Sequence, residues 1–571
     1  MRLRSSNNLR FAFWIISIVL AAMEAWTSRY SVNPMGISYL DMGDAFMRGD
    51  WSTALNGLWS PLYSIPLGVL ISVLNPPPAW EFPLVHLVNL IIFVGAMLAF
   101  DFFLRELLKW RERGLGHQEE QSRVAIPDWA LVALGYSIFI WCSLGLITIA
   151  TTAPDLLVSV FVYLAFGMLL RISRGLRSWS SFFLLGLIIG LGYLAKAPML
   201  PLGVLFIVAG LMLARDWRGA GTRLGAAVLG LLLIAGPFTI ALSVSRHRLT
   251  YGDSSKLNYA WHVNRVPFFH WQGDANYGTP VHPTRKIHEN PAIYEFATPL
   301  SVTYPPWYDP SYWYEGVTPR FNFHQQKAPV LAGLRVYREL ITFRSHLVLM
   351  AGFLVLLYIC RKTVAGRILT GWPVLLISIA ALVLFLPVHV EPRYVAAFIP
   401  PFWLVVFSSL HAPADNGVSK RIILIVLVMA SVIALAQTLR TVSTFWRSAT
   451  DPVQAKRNAT QLQVAEELTR RGLRHGDAVG LCNFNSHWLP MVHWARLDRL
   501  RIVAELPNTD AAIFAGADEA NQREVIETMA RTGARAIVAT HVPDNVTLTG
   551  WDRLGETSYY VLKLDPTLEM K

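Results

Sequence analysis

The stretch SFFLLGLIIGLGYLAKAPMLPLGVLFIVAGLMLA, from Ser181 to Ala214, decides the fold class. As a single helix it would be about 51 Å long, much longer than the ~30 Å hydrocarbon core of a bilayer. Basic residues precede it (Arg171, Arg174, Arg177) and follow it (Arg215, Arg218, Arg223). Because an excess of Lys and Arg marks the cytoplasmic side, both ends lie on that side. The stretch therefore crosses the membrane twice and breaks at Lys196-Ala-Pro on the outer face.

The composition of the whole chain agrees with a membrane protein. Of 571 residues, 53% are hydrophobic and only 15% are charged, whereas a soluble domain carries roughly 25% charged residues. The net charge of +12 comes from basic residues that lie between apolar runs, so topology explains it and no nucleic-acid partner is expected. Two of the three cysteines, Cys142 and Cys360, lie in apolar runs and Cys482 is alone in the tail, which indicates no disulfide framework.

We predict eleven membrane spans, with the N-terminus inside and the C-terminus outside. The first is read as an uncleaved span, because no small-residue cleavage site follows it. The segment Ser60–Leu74 is left out, since 15 residues with two prolines reach only about 22 Å. We expect it to lie along the outer interface. The predicted spans are residues 10–27, 83–106, 126–150, 154–171, 180–195, 198–214, 223–245, 345–360, 370–388, 394–411 and 421–439.

The apolar runs stop near residue 440, which predicts two domains. Residues 1–440 form a transmembrane domain with outer loops 28–82 and 246–344, and residues 441–571 form a soluble extracytoplasmic α/β domain. In this tail AVGLCNF (478–484), RIVAEL (501–506), ARAIVAT (534–540) and SYYVLKL (558–564) are typical of strands, with a helix over 519–531. The tail has no glycine-rich phosphate loop and no cluster with metal-ligand spacing, which favours a binding or scaffolding role.

Three hairpin tips carry reactive residues on the predicted outer face: Thr151–Asp155, Lys196–Pro198 and His389–Tyr394. An ionisable residue at membrane depth costs about 2.5 kcal/mol or more and tends to mark function. Lys196 and Arg393 are suited to offset the charge of a phosphate leaving group. Asp155 is equally suited to cap its span, and Glu391 to neutralise Arg393. Three such tips on one face predict one active site.

The first outer loop contains SYLDMGDAFMRGDW, from Ser38 to Trp51. Its apolar spacing predicts a short interfacial helix with Asp41 and Asp44 on one face. A carboxylate at the water boundary suits a general base, although two solvated aspartates would show the same spacing. At such an exposed position Asp41→Asn is expected to leave the fold intact.

The second outer loop is rich in aromatic residues, as in WHVNRVPFFHW (261–271) and YPPWYDPSYWYEG (304–316). Aromatic side chains of this kind stack on sugar rings or anchor a protein at the headgroup layer, and the sequence leaves both interpretations open.

The order of these motifs resembles a known family. A first span is followed by the acidic loop, WSPLYS (59–64), PDLL (154–157), GLGYLAKAP (190–198) and EPRYVAAFIPP (391–401). This order is similar to the GT-C membrane glycosyltransferases that use dolichyl- or undecaprenyl-phosphate sugars, including the protein mannosyltransferases and the aminoarabinose transferase of lipid A. The resemblance covers residues 10 to 410.

The resemblance implies an inverting transfer of a sugar from a polyprenyl-phosphate donor, the co-substrate, to a glycan, lipid or protein acceptor on the extracytoplasmic face of a plasma membrane, such as the bacterial inner membrane. Asp41 or Asp44 would be the base, because relatives carry an acid where this chain has NPMGIS (33–38). No cofactor or metal ligand is assigned, and dependence on a divalent metal is undetermined. The expected site for the lipid phosphate and donor comprises Lys196, Arg393, Asp155, Glu391 and Tyr394.

Two other functions agree with part of the sequence. A transporter or flippase of a lipid-linked substrate explains the spans and charges, but predicts broken helices or inverted repeats near the midplane. A polysaccharide polymerase or ligase explains the 246–344 loop but not the acidic first loop.

The predicted sidedness is testable by thiol labelling of intact cells. In a background without native cysteines, a cysteine at Ala153, Glu391 or Gly476 is expected to react with an impermeant reagent, and one at Gly116 is not, because basic loops stay inside. External labelling at Gly116 would mean that Ser60–Leu74 crosses the membrane and that the topology beyond it is inverted.

Overall fold

The structure, a computed structural model, describes residues 2–113, 123–216, 218–296, 298, 300–360, 368–413, 416–486 and 489–564. The chain divides into two compact units. The first comprises Met1–Thr27, His86–Tyr251 and Asn322–Arg447, and the second comprises Ser28–Val85, Gly252–Phe321 and Ser448–Lys571. The second unit thus contains the first outer loop and most of the second, together with the tail from Ser448.

The first unit is built from apolar helices. By length and composition, six helices among the described residues are suited to cross a membrane, or seven if one bent pair is counted, and five further apolar helices are shorter. The helices that lie in or enter this unit are Arg2–Thr27, Pro78–Arg113, Asp128–Ile140, the π-helix Trp141–Ile147, Asp155–Ser173, Trp179–Ala195, Met199–Ala214, Ala220–Ser245, Phe323–Thr342, Arg344–Ile359, Trp372–Phe385, Pro392–Val395, Ile399–Ser408 and Asn416–Thr450.

All eleven predicted spans overlap an apolar helix, so the chain is a polytopic α-helical membrane protein, as predicted. The break at Lys196 is confirmed, because one helix ends at Ala195 and the next begins at Met199. The Ser64–Leu74 helix has 11 residues, which is about 16 Å and too short to span. The labelling position Gly116 lies outside the described residues.

The helix Phe323–Thr342 was not predicted, because its three basic residues, Lys327, Arg335 and Arg338, lower the apolar character of the segment. It is bent by 69° from the following helix, Arg344–Ile359.

Small residues allow two of the membrane helices to approach closely. A Cβ on Gly186 would lie 2.0 Å from the carbonyl oxygen of Ala227, and one on Gly230 would lie 2.3 Å from that of Phe183. Helix association in a bilayer depends on such close packing, since lipid provides no hydrophobic driving force between helices. The helices Trp179–Ala195 and Ala220–Ser245 therefore need glycine at these positions.

The second unit contains a seven-stranded mixed sheet. Numbered in chain order, the strands of the protein are β1 (Arg123–Ala125), β2 (Arg285–Glu289), β3 (Ala292–Glu295), β4 (His411–Pro413), β5 (Ala478–Asn483), β6 (Arg501–Leu506), β7 (Ala536–Thr540), β8 (Asp552–Arg553) and β9 (Tyr560–Lys563). The sheet order is β2-β3-β6-β5-β7-β9-β8, with β5 parallel to β6 and β7, while β1 pairs with β4 in the first unit. The strands predicted in the tail are all present, and the second loop contributes β2 and β3 to their edge.

The second unit also contains helices. They are Pro34–Arg48, Trp51–Ala54, Ser64–Leu74, Ser254–His262, Pro305–Tyr308, Pro310–Trp313, Pro452–Arg470, His493–Leu497, Asn508–Gly516 and Glu519–Ala530.

The aromatic residues of the second loop form the core of this unit. Trp261, Trp271, Trp307 and Tyr314 are at most 5% exposed and pack in one cluster with the sheet. Trp261 stacks on Trp307 with ring centroids 5.8 Å apart, and Trp271 stacks on Tyr314 at 5.5 Å. Both interpretations left open by the sequence are wrong for these four residues, because buried rings neither stack on a sugar nor reach headgroups.

The acidic helix Pro34–Arg48 packs on the Ser64–Leu74 helix through two glycines. A Cβ on Gly43 would lie 2.8 Å from the carbonyl oxygen of Ser64, and one on Gly68 would lie 2.4 Å from that of Gly43. The backbones of the two helices are in direct contact at these glycines, so the acidic helix has little freedom to tilt or rotate. Gly43 lies between Asp41 and Asp44, and the contact therefore sets the direction of both carboxylates.

Candidate functional site

In the first unit, the three predicted tips bring their ionisable side chains together. Asp155 is the first residue of its helix, Lys196 follows the end of another, and Arg393 lies in the short helix Pro392–Val395. Each of these residues lies where a helix begins or ends, so its side chain can reach beyond its own helix. We refer to Asp155, Lys196, Glu391, Arg393 and Tyr394 as the tip cluster.

Asp155 is the centre of this cluster. Its carboxylate accepts a hydrogen bond from Lys196 Nζ at 2.6 Å and one from Arg393 Nη1 at 3.4 Å, and its side chain is 3% exposed. Pro154 is the N-cap of this helix, and Asp155 is the acidic residue of its first turn, with its oxygens toward the two cations. Its position at the helix N-terminus and its contact with the cations are thus both present.

Glu391 completes the cluster from the third tip. It accepts from Arg393 Nε at 2.6 Å, from the Tyr394 hydroxyl at 3.1 Å and from His389 Nε2 at 3.2 Å. Lys196 Nζ lies 3.8 Å from the centre of the Tyr394 ring, where a cation is attracted by the ring face. Arg393 therefore pairs with Glu391, as one prediction had it, and also reaches Asp155.

The charges of the tip cluster cancel in pairs. Two cations, Lys196 and Arg393, face two carboxylates, Asp155 and Glu391. Burial raises the pKa of Glu391, but hydrogen bonds from His389 and Arg393 and the guanidinium charge outweigh burial and bring it below its ordinary value. Each cation of the tip cluster is thus in contact with a carboxylate.

In the second unit, Asp41 and Asp44 belong to a different cluster. Arg496 Nη1 lies 2.7 Å from an oxygen of each aspartate, and its Nε donates to Glu81 at 2.7 Å. Arg499 donates to Asp44 and, at 2.9 Å, to Glu81. We refer to Asp41, Asp44, Glu81, Arg496 and Arg499 as the carboxylate cluster.

The two aspartates differ in environment. The Asp41 carboxylate also accepts from the Thr303 amide at 2.9 Å and the Thr303 hydroxyl at 3.0 Å. Its side chain is 5% exposed, whereas that of Asp44 is 17% exposed. Burial raises the pKa of Asp41 against the pull of Arg496; for Asp44 burial acts in the same direction, but Arg496 and Arg499 outweigh it and lower the pKa. Three carboxylates thus share two guanidinium groups.

The expectation that Asp41 is exposed at the water boundary is wrong. Its carboxylate binds Thr303 and Arg496, which lies on the tail 455 positions further along the chain. The sequence signal was faint: in WARLDRL (494–500) an arginine stands between two apolar residues that are themselves buried. Replacing Asp41 by Asn is now expected to cost about 1–3 kcal/mol, because a buried charged hydrogen bond is lost.

Metal binding finds no support in either cluster. Within the part of the chain that the structure describes, no group of three or more His, Cys, Asp and Glu side chains is arranged to hold a metal ion.

The burial of Arg496 predicts a large and asymmetric effect on stability. Arg496→Met would leave three carboxylates with one arginine, and is expected to cost about 3–5 kcal/mol of unfolding free energy. Arg499→Met should cost less than half as much, since its side chain is 29% exposed and screened by water. Thermal unfolding of both variants in detergent measures the difference. Equal shifts in the two midpoints would contradict a structural role centred on Arg496.

Comparison with known proteins agrees with this architecture. No protein-family model matches the sequence, and no curated protein matches it. Among solved structures, the chain is similar to ArnT from Cupriavidus metallidurans in the apo state, with 14% identity and a TM-score of 0.53 over 98% of this chain and 99% of that chain. The chain is also similar to ArnT from Cupriavidus metallidurans bound to undecaprenyl phosphate, with 13% identity and a TM-score of 0.52 over 98% of this chain and 99% of that chain. An oligosaccharyltransferase from Archaeoglobus fulgidus, in complex with Zn and sulfate, gives 12% identity and a TM-score of 0.44 over 93% of this chain and 68% of that chain.

The two ArnT matches include nearly every residue of both proteins, the tail as well as the membrane helices. The resemblance inferred from the motifs extended only to residue 410, so the structural likeness is wider than the sequence likeness. Over 98% of its length, this chain shares the fold of ArnT.

Proposed function

We propose that this protein is an inverting glycosyltransferase that moves a sugar from a polyprenyl-phosphate donor to an acceptor. The observation that carries the proposal is the convergence of Lys196 and Arg393 on Asp155, at helix ends, in a chain with the ArnT fold. ArnT has been solved with undecaprenyl phosphate bound, which supports a lipid phosphate as the ligand of such a fold.

The tip cluster suits a phosphate that becomes a leaving group. The acceptor oxygen attacks the anomeric carbon, the bond from that carbon to the phosphate oxygen breaks, and the lipid phosphate leaves with an additional negative charge. Lys196 and Arg393 would stabilise that charge, because cations in a water-poor site act more strongly than in water. Asp155 and Glu391 would hold them in place before the donor binds, and Tyr394 would orient Lys196.

The acceptor hydroxyl must lose its proton to a base. Between the two candidates we propose Asp44, since its side chain is the more exposed of the two. Asp41 would then hold Thr303 and Arg496, and so fix the helix that carries Asp44. The carboxylate that accepts the proton passes it to water once the product has left.

The cellular setting belongs to the same proposal. The reaction would take place on the extracytoplasmic face of a plasma membrane, the bacterial inner membrane in particular, with residues 441–571 outside. The acceptor would be a glycan, lipid or protein. The high Lys and Arg content of the loops opposite the tips supports this sidedness.

The direct test is sugar transfer in proteoliposomes from a panel of synthetic polyprenyl-phosphate sugars. A new glycosidic bond with release of polyprenyl phosphate is the expected result. Movement of an intact donor across the bilayer without a new bond would indicate a flippase, and products of increasing length from a preformed glycan would indicate a polymerase or ligase.

Replacing each aspartate in turn distinguishes the proposed general base, Asp44, from Asp41, which is proposed to fix the helix. Asp44→Asn is expected to lower the transfer rate by about 10²-fold or more, and also to lower the melting temperature because its contacts with Arg496 and Arg499 are weakened. Asp41→Asn should lower the melting temperature and reduce transfer less. Collapse of transfer only in Asp41→Asn would assign the base to Asp41, and normal transfer in both variants would exclude this helix as its source.

Replacement of the cations tests phosphate binding. Arg393→Lys should impair transfer although charge is kept, because lysine lacks the bidentate fork of arginine. Lys196→Met should impair it more than Lys196→Arg, by about 3 kcal/mol in transition-state stabilisation. If Arg393 serves only to neutralise Glu391, the double variant Glu391→Gln, Arg393→Met should recover transfer, and that recovery would remove Arg393 from the phosphate site.

A further inference from the structure

The segment that leads into Asp155 has an unusual backbone. The π-helix Trp141–Ile147 ends at Thr148, whose φ of 71° and ψ of 142° lie in a region that favours glycine. Threonine is β-branched and is strained there. Seven residues further on, the chain reaches Asp155. A strained residue persists only where its surroundings hold it, and three side chains on two other helices do so here.

Glu24, on the helix Arg2–Thr27, holds the start of the turn. Its carboxylate accepts from the Thr148 hydroxyl, and the backbone amides of Ile149 and Ala150 point to the same carboxylate. The Thr148 hydroxyl in turn accepts from the Ala150 amide at 3.2 Å. Glu24 thereby accepts from the donors of the segment that follows the π-helix.

Two residues on the helix Pro78–Arg113 hold the carbonyl groups of the same turn. Asn89 Nδ2 donates to the carbonyl oxygen of Ile149 at 2.9 Å and to that of Thr151 at 3.3 Å. His86 Nδ1 lies 3.3 Å from the Ile149 oxygen. The helix Arg2–Thr27 thus binds amides of this turn and the helix Pro78–Arg113 binds its carbonyl groups. Together these contacts fix the conformation of residues 148–151.

A glutamate in an apolar helix is costly, and such residues tend to be functional. Glu24 lies in the apolar helix Asn7–Thr27. Among the residues that the structure describes, its hydrogen bonds go to Thr148, Ile149 and Ala150 and not to the tip cluster. Its contacts converge instead on the turn that precedes Asp155.

We propose that Glu24 is a positioning residue, which holds the turn Thr148–Thr151 in its strained form and so directs Asp155 to Lys196 and Arg393. The role in transfer rests on the proposed function; the role in holding the turn does not. Without Glu24, Thr148 relaxes to negative φ, and the chain leaves the π-helix in another direction. Asp155 then shifts away from the two cations, which lose the partner that orders them for the donor phosphate.

The experiment removes the Glu24 carboxylate and, in a second variant, also relieves the backbone strain at Thr148. Glu24→Ala removes the carboxylate, whereas Glu24→Gln keeps an oxygen that accepts from Thr148. Adding Thr148→Gly to Glu24→Ala relieves the strain, because glycine adopts positive φ at no cost. Val19→Ala, at a 52% exposed position of the same helix, is the matched control. Each variant is purified as the full chain, and two readouts are compared.

The first readout is hydrogen exchange of the amides of Ile149–Leu156. Exchange should become faster in Glu24→Ala, stay near wild type in Glu24→Gln and Val19→Ala, and slow again when Thr148→Gly is added. The second readout is donor KM in the transfer assay, which should rise about tenfold in Glu24→Ala with a smaller change in kcat, since the cations lose order before the donor binds.

Unchanged exchange in Glu24→Ala would overturn the proposal, and so would faster exchange with an unchanged donor KM. Failure of Thr148→Gly to restore either readout would show that Glu24 acts by some means other than strain. If the wild-type protein transfers no sugar from any donor, the proposed function fails, while the exchange data still decide whether Glu24 holds the turn.

Discussion

Backbone groups inside a bilayer find no water, so every interruption of a membrane helix has to be satisfied by the protein itself. This constraint shapes the first unit. Where the helix ending at Ile147 breaks, Glu24 and Asn89 supply the missing hydrogen-bond partners. Where the hairpin breaks at Lys196, its amide still donates to the Gly192 carbonyl at 2.9 Å and its side chain binds Asp155. Polar residues therefore collect where helices end, and this is how a protein of apolar helices acquires a charged cluster.

Buried charge is the second constraint. In the carboxylate cluster, Arg496 is 2% exposed and contacts three acids. Moving these groups out of water costs several kcal/mol for each ion, and only close hydrogen-bonded pairing offsets that cost. The acidic helix and the tail segment that carries Arg496 consequently depend on each other, and neither is expected to keep its conformation alone. The tail is part of the unit that contains the first loop and does not fold as an appendix to it.

Much of the architecture followed from patterns in the sequence. The apolar run Ser181–Ala214, too long for one crossing and bounded by basic residues, predicted two helices and the break at Lys196, and both are present. Alternating strand and helix patterns in the tail predicted β5, β6 and β7. The helix Phe323–Thr342 was not predicted, because its basic residues lower the hydropathy of the segment. The aromatic residues of the second loop were not predicted to be buried, because local sequence does not distinguish a buried tryptophan from an exposed one.

The sequence by itself determined the membrane class, the positions of the apolar helices, the strands of the tail and the residues that stand at helix ends. These properties depend on hydropathy and spacing over short segments, which local composition controls. Only the tertiary structure decided that Asp155 faces Lys196 and Arg393, that Arg496 covers Asp41, and that the first outer loop and most of the second fold with the tail. Such contacts join residues up to 455 positions apart, and they form because buried charges must find partners wherever in the chain those partners lie.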